Sequence, residues 1–361
     1  MTLFVDLPGI LPEFIALNRS RCLAAGLDPF AYDRATAPLT SLREWPAAFL
    51  AVAEEHRAAA DRYAADGRTV SAGEAYRDAA RWFHCAVPGP YPDRVLLARA
   101  ADAADRSMRA ALALLEPRAA RVEGEEFAGW LRFPAAPTTS AARPPVVVLV
   151  PGLDSGKEEF HAVADALLAR GAAVFAMDGP GQGVFAASRA PHADYQHVVS
   201  AAIDALAARG DVDTGRLGVC GLSLGGFYAS VAAAHDPRIR AALTVSGPYR
   251  LQPDELPQYV TETLALRCGG ADAAREFASR VDLRGVAQRI ACPLRVVEGG
   301  QDVTPGVVNA EQLSHEAPRA TYDLVPHGDH LLGNARAEWL PGAADWMLDR
   351  LDGDNRETGL G

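Results

Sequence analysis

Residues 216–235 read RLGVCGLSLGGFYASVAAAH: an apolar run suited to a buried strand, then Gly221-Leu222-Ser223-Leu224-Gly225-Gly226, then a helical stretch. A bare G-x-S-x-G pattern says little, but between a strand and a helix it has a mechanical meaning. The glycines remove Cβ atoms that would collide in a sharp turn, and the turn lifts the serine hydroxyl above the carboxyl edge of a sheet. The competing role for Ser223 is that of a plain N-cap for the following helix. The strand–turn–helix setting favours a nucleophile.

Working outward, the same alternation continues. VVVLV at 146–150 is a short continuous apolar run of the kind a strand buried on both faces requires, and AAVFAMD at 172–178 repeats it. Downstream come IRAALTVSG at 239–247, PLRVVEG at 293–299 and ATYDLVP at 320–326, with FAGWLRFPA at 127–135 as an earlier strand. Helical patterns lie near 193–209, after 224, through NAEQLSHEA and over 336–351. Strands and helices in alternation imply an α/β fold with a doubly wound, mostly parallel sheet.

Two regions stand outside the alternation. Residues 1–118 form an N-terminal helical cap segment, with apolar residues at three-to-four spacing over 45–66, 71–86 and 93–115. Ser71 followed by Glu74 reads as a capping box, and Pro88, Pro90 and Pro92 interrupt the helical pattern. Residues 250–290, mainly helical in pattern, separate two strands and are read as a helical insertion forming a lid over the carboxyl edge. The catalytic domain is thus 119–352, with a Pro/Thr/Ser/Ala linker at 134–145 and a flexible tail at 353–361.

A serine hydroxyl becomes a nucleophile only when a base takes its proton, and on a sheet of this type the acid and then the histidine follow the serine along the chain. Asp302 lies just beyond PLRVVEG, in GGQDVTP, where loops at carboxyl ends of strands gather catalytic groups. In VPHGDHLLGNA both His327 and His330 follow the last strand. His330 is preferred because Gly328-Asp329 turns the chain and leaves it on the next loop; His327, packing at the strand end, is the alternative. An oxyanion needs backbone donors. Leu224 supplies one, and Leu153, in Pro151-Gly152-Leu153-Asp154-Ser155 after VVVLV, supplies the other. Ser155 reads as an N-cap in the same loop. Asp178 is assigned the ordering of the glycine-rich loop 179–183 through backbone hydrogen bonds.

Composition narrows the rest. The 361 residues carry a net charge of −11, which repels nucleic acid and anionic lipid, so neither a nucleic acid nor a membrane is an expected partner. No apolar run reaches a membrane span, the first residues lack a signal-peptide core, and five scattered cysteines suit free thiols. A cytoplasmic location follows as the expectation. No H-x-x-H or H-E-x-x-H ligand pattern occurs, so no metal or other cofactor is expected.

PGLDSGKEE at 151–159, DGPGQG at 178–183, GLSLGG at 221–226 and GDH at 328–330 resemble the α/β-hydrolase superfamily. The first two point to the branch that includes 2,6-dihydroxypseudooxynicotine hydrolase, fungal polyketide-shortening hydrolases and esterases similar to the fermentation-respiration switch protein. GRTVSAGEAYRDAARWFHCA at 67–86 is similar to the N-terminal helical segment of that branch. The resemblance implies a Ser223, Asp302, His330 triad, a helical cap over the site, a small-molecule carbonyl substrate and a homodimer. It also implies cleavage of a carbon–carbon bond next to a ketone, or of an ester. Ketone cleavage benefits from an extra acid, for which Asp254 or Glu255 is the candidate; otherwise both are solvated loop carboxylates. Trp82, Phe83 and Tyr249 are candidate pocket residues, although aromatics so placed also serve as core. The same triad suits an acyltransferase or cyclase if water is kept out. A catalytically inactive ligand-binding or interaction protein of this fold is the alternative of another class.

Overall fold

In the computed structural model, which describes residues 2–135 and 143–353, five helices come first: α1 (Ile10–Ala24), α2 (Pro29–Thr36), α3 (Trp45–Ala65), α4 (Thr69–Cys85) and α5 (Arg94–Leu115). A hairpin of β1 (Ala120–Glu123) and β2 (Ala128–Arg132) follows, and then strands and helices alternate. They are β3 (Pro145–Val150), α6 (His161–Leu168), β4 (Ala173–Asp178), α7 (Gln196–Arg209), β5 (Asp213–Leu222), α8 (Leu224–His235) and β6 (Ile239–Val245). After β7 (Pro248–Leu251) come α9 (Gln258–Cys268) and α10 (Ala271–Arg280). The chain continues through β8 (Leu294–Gly299), β9 (Val307–Asn309), α11 (Glu311–Glu316), β10 (Ala320–Val325) and α12 (Arg336–Asp352).

Eight strands form one sheet in the order β1-β2-β4-β3-β5-β6-β8-β10, antiparallel at the β1-β2-β4 edge and parallel from β4 to β10. This is the α/β-hydrolase fold. Its central strands are continuously apolar because both faces are covered: Val146, Val148 and Val150 pack toward α7 and α8, while Val147 and Leu149 pack toward α6 and α12. The polar residues that survive in β8 are the informative ones. Arg295 is neutralised by Asp323 at 2.5 Å, whereas Glu298 has no cationic partner among the described residues.

The N-terminal helices own a separate apolar core in which Trp45 stacks on Phe49, their ring centroids 4.1 Å apart, and Trp45 Nε1 donates to the Cys85 carbonyl at 3.0 Å. Helix α1 crosses the carboxyl edge of the sheet: Ser20 donates to Asp329, and Arg336 donates to the Ala24 carbonyl. Helices α9 and α10 make up the insertion expected over 250–290. Its base is stapled by β7 pairing antiparallel with β9, a two-stranded ribbon with no strong periodicity in the sequence.

The capping box expected at Ser71 is absent, because α4 begins two residues earlier with Arg68 at its N-cap and no side-chain cap. A capping box does form at Ser41 and Glu44, before α3. Most of the 134–145 linker and nearly all of the 353–361 tail lie outside the described residues. No described helix is long and apolar enough to cross a membrane.

Candidate active site

Ser223 occupies the turn between β5 and α8 with φ 56° and ψ −132°, a conformation that L-residues adopt only under constraint. Its N–H donates to the Val245 carbonyl at 2.8 Å. The turn closes because two neighbours lack side chains: a Cβ at Gly221 would lie 1.9 Å from the Gly225 carbonyl oxygen, and one at Gly225 would lie 2.1 Å from that of Val150. Ser223 is therefore held rigidly at the sheet edge, and the backbone strain is repaid by packing around it.

Two loops deliver its partners. Asp302 follows β8 and His330 follows β10, both at carboxyl ends of parallel strands. His330 Nε2 lies 3.0 Å from Ser223 Oγ, and Nδ1 lies 2.8 Å from Asp302 Oδ2. The chain is satisfied with Nδ1–H donating to the carboxylate and the serine hydroxyl donating to Nε2. His330 is partly accessible and lines the cavity above Ser223. Burial disfavours the imidazolium, yet the hydrogen bond and charge of Asp302 outweigh burial and hold the His330 pKa above its ordinary value. Leu331 and Leu332, both at positive φ, complete the turn, and the Leu331 N–H donates to Ser246 Oγ at 3.0 Å. His327 instead pairs with Glu338 at 2.9 Å on the surface, so of the two histidines it is His330 that meets Ser223.

The loop after β3 passes close to the nucleophile, a Cβ on Gly152 falling 2.9 Å from that of Ser223. Leu224 opens α8, so its N–H is one of the unpaired first-turn donors, and Leu153 shares the cavity with it. Partners on both sides pin this loop. Gln182 Nε2 donates to the Pro151 carbonyl at 2.5 Å, and Tyr195 holds Gln182 at 2.6 Å. On the other side the Asp154 carboxylate accepts from Arg21 of α1 at 2.9 Å, Gly89 N–H at 2.8 Å and Tyr259 of α9 at 2.7 Å. Arg21 also grips Glu159 at 2.7 and 2.9 Å, and His84 meets the same carboxylate at 3.0 Å. Cap and insertion thus converge on the residue beside Leu153.

The other charges of PGLDSGKEE have an equally local purpose. Asp178, fully buried, accepts Lys157 N–H and Nζ, each at 2.7 Å, and Val184 N–H at 3.1 Å, tying the glycine-rich loop to the loop after β3. Ser155 caps no helix, since α6 begins only at His161; its hydroxyl donates to Glu159.

Above Ser223 lies a cavity of about 420 Å³, within the range of small-molecule sites. Its wall is mainly apolar, with Phe4, Phe14 and Tyr259 as the aromatic contributors. The aromatic residues expected there are elsewhere. Trp82 and Phe83 are buried in the core of the cap, and Tyr249, a residue of β7, packs into the core of the sheet domain with its hydroxyl donating to Glu316 at 2.7 Å. Asp254 and Glu255 do not reach the cavity: Asp254 pairs with Arg275 at the surface, and Glu255 accepts from Gln252 at 2.9 Å. Four acids line it: Glu13 is exposed, Asp154 and Asp302 are engaged as above, and Glu298 is 1% exposed, its Oε1 accepting the Ala310 N–H at 3.2 Å. Burial pushes its carboxyl up to about 8 against the pull of that amide. A carboxylate near the end of a mainly apolar strand was the signal for it in PLRVVEG.

The profile of a family described as serine aminopeptidase, S33, matches residues 142–271. The chain is 29% identical over 354 residues to 2,6-dihydropseudooxynicotine hydrolase of Paenarthrobacter nicotinovorans, covering 95% of this chain and 94% of the relative. It is 35% identical over 216 residues to Hydrolase LUC6 of a Fusarium species, covering 56% of this chain and 50% of the relative, so it spans only about half of that fungal protein. Among solved structures, 2,6-dihydroxy-pseudo-oxynicotine hydrolase superposes with a TM-score of 0.80 at 27% identity, over 92% of this chain and 95% of that one.

Proposed function

The chain belongs to the α/β-hydrolase superfamily, and from that premise we propose that it hydrolyses the carbon–carbon bond beside a ketone, with ester hydrolysis as a second outlet of the same acyl-enzyme chemistry. The observation that carries this reading is the unbroken hydrogen-bond chain Ser223–His330–Asp302, at 3.0 and 2.8 Å, beneath a mainly apolar cavity. The near full-length likeness to a relative named for a pseudooxynicotine substrate supports the ketone.

In the proposed cycle Ser223 Oγ adds to the carbonyl as His330 Nε2 takes its proton, while Asp302 fixes the tautomer and stabilises the imidazolium. The N–H groups of Leu153 and Leu224 receive the oxyanion. Collapse breaks the bond to the departing carbon, which leaves with that electron pair and is protonated at the expense of the imidazolium, and an acyl-Ser223 ester remains with His330 neutral. Water, deprotonated by neutral His330, then releases the carboxylic acid, and the serine recovers its proton. The apolar wall suits a substrate that is largely hydrocarbon or aromatic around one carbonyl.

The test is product analysis with benzoylacetone, acetylacetone and p-nitrophenyl acetate in isotopically labelled water. The reading expects each cleaved diketone to give a carboxylic acid carrying one labelled oxygen and a ketone carrying none from the cleavage step. Turnover of the ester with no diketone cleaved under any condition would sink the carbon–carbon reading and leave an esterase.

A further inference from the structure

Ketone cleavage sets a demand that ester cleavage does not. The leaving group is a carbanion, and the carbon must be protonated as the bond breaks. The surface acids Asp254 and Glu255 are too far outside the cavity to serve. We propose that Glu298, a neutral carboxylic acid in the wall of the cavity, delivers that proton and is a further catalytic residue; the assignment rests on the carbon–carbon reading above.

Four observations carry it. Glu298 shares a strand face with Leu294 and Val296 and stands at the carboxyl end of β8, four residues before Asp302. It lines the same cavity as Ser223 and His330. Only Oε1 is engaged, by the Ala310 N–H, and Oε2 has no hydrogen-bond partner among the described residues. No Lys or Arg pairs with it there, so a buried carboxylate would stand uncompensated beside Asp302, and the uncharged acid is the cheaper form. The raised pKa of about 8 agrees with that geometry.

The step balances without an outside reagent. After serine addition, His330 holds the Ser223 proton as imidazolium. When the oxyanion collapses, the electron pair of the carbon–carbon bond goes to the departing carbon, which takes the proton from Glu298 and leaves a carboxylate. The imidazolium returns a proton to that carboxylate, so neutral His330 and neutral Glu298 are restored before water attacks the acyl-enzyme. The water proton then passes through His330 to Ser223 Oγ.

The experiment compares wild type with Glu298→Gln on 3,3-dimethylpentane-2,4-dione, a diketone with no acidic hydrogen between its carbonyls to ionise in this range, and on p-nitrophenyl acetate across pH 6 to 10. Glutamine keeps the shape and hydrogen bonding but has no acidic proton. The ratio of diketone to ester turnover should fall at least about 100-fold in Glu298→Gln, in line with the usual worth of a positioned acid. In wild type, diketone turnover should decline as pH rises through about 8, a limb missing from ester turnover. Labelling of Ser223 by a fluorophosphonate reports whether the variant has folded; if it has not, the wild-type profile decides, and absence of the limb overturns the assignment. An unchanged ratio in a labelled variant that still cleaves the diketone refutes Glu298 alone. Failure of wild type to cleave any diketone overturns the carbon–carbon reading and Glu298 with it.

Discussion

Tyr259→Phe removes a single hydroxyl from the insertion helix and tests whether that helix helps to build the oxyanion site. The hydroxyl donates to Asp154 at 2.7 Å, one residue from Leu153. A hydrogen bond to a charged group contributes about 1.5–3 kcal/mol. Asp154 keeps Arg21 at 2.9 Å and the Gly89 amide at 2.8 Å, so only the lower end of that range should be lost. About 1.5 kcal/mol passed to the position of the Leu153 amide corresponds to roughly tenfold in acylation rate. That is well short of the 10²- to 10³-fold typical of removing an oxyanion donor altogether. Burst kinetics with p-nitrophenyl acetate measure the step directly. The expected result is a roughly tenfold slower burst with KM changed far less. A lower melting temperature with an unchanged burst would show that the network only supports the fold, and the reasoning would fail.

Asp302→Asn should slow acylation by about 10³- to 10⁴-fold while the protein stays folded, because the amide favours the wrong imidazole tautomer; burst kinetics and circular dichroism separate the two effects. Since Asp302 raises the His330 pKa, ester kcat/KM should rise with pH through a value above that of an ordinary histidine, and a midpoint at or below about 6.5 would contradict the described geometry. His84 is also raised, to about 9, because its hydrogen bond to Glu159 and the charge of that carboxylate outweigh its burial. A raised folded-state value means the contribution is complete below about 6.5 and disappears as pH rises through about 9; its full size is on the order of 3 kcal/mol. Urea unfolding of wild type against His84→Gln should show the difference shrinking between pH 6 and pH 10, and a constant difference would argue against the ion pair.

The strand framework was legible because parallel strands covered on both faces are apolar nearly throughout, and VVVLV, AVFAM and the Val296-Val297 pair of β8 follow that rule without help from distant residues. The elbow was legible for steric reasons, since Gly221 and Gly225 answer to contacts within about a turn of Ser223 and to the end of β3. Asp302 and His330 were within reach because a fold of this topology places strand-end loops side by side. What escaped depends on helix orientation. Nothing in the local pattern of α1 or α9 says that Arg21 and Tyr259 point at Asp154, nor that Trp82 and Phe83 turn into the cap core. Asp254 and Glu255 attracted a role by lying after β6, but their loop turns outward, while Glu298 was hidden inside a strand read only for its hydrophobicity.

The central claim is that Ser223 is a nucleophile activated by His330. Fluorophosphonate labelling followed by peptide mass spectrometry, on wild type, Ser223→Ala and His330→Ala, tests it most directly. The account predicts one adduct in wild type, on the peptide containing Ser223, none in Ser223→Ala, and labelling slowed by at least about 10³-fold in His330→Ala. An unlabelled wild type under conditions where a known serine hydrolase reacts, or an adduct that persists in Ser223→Ala, would contradict it.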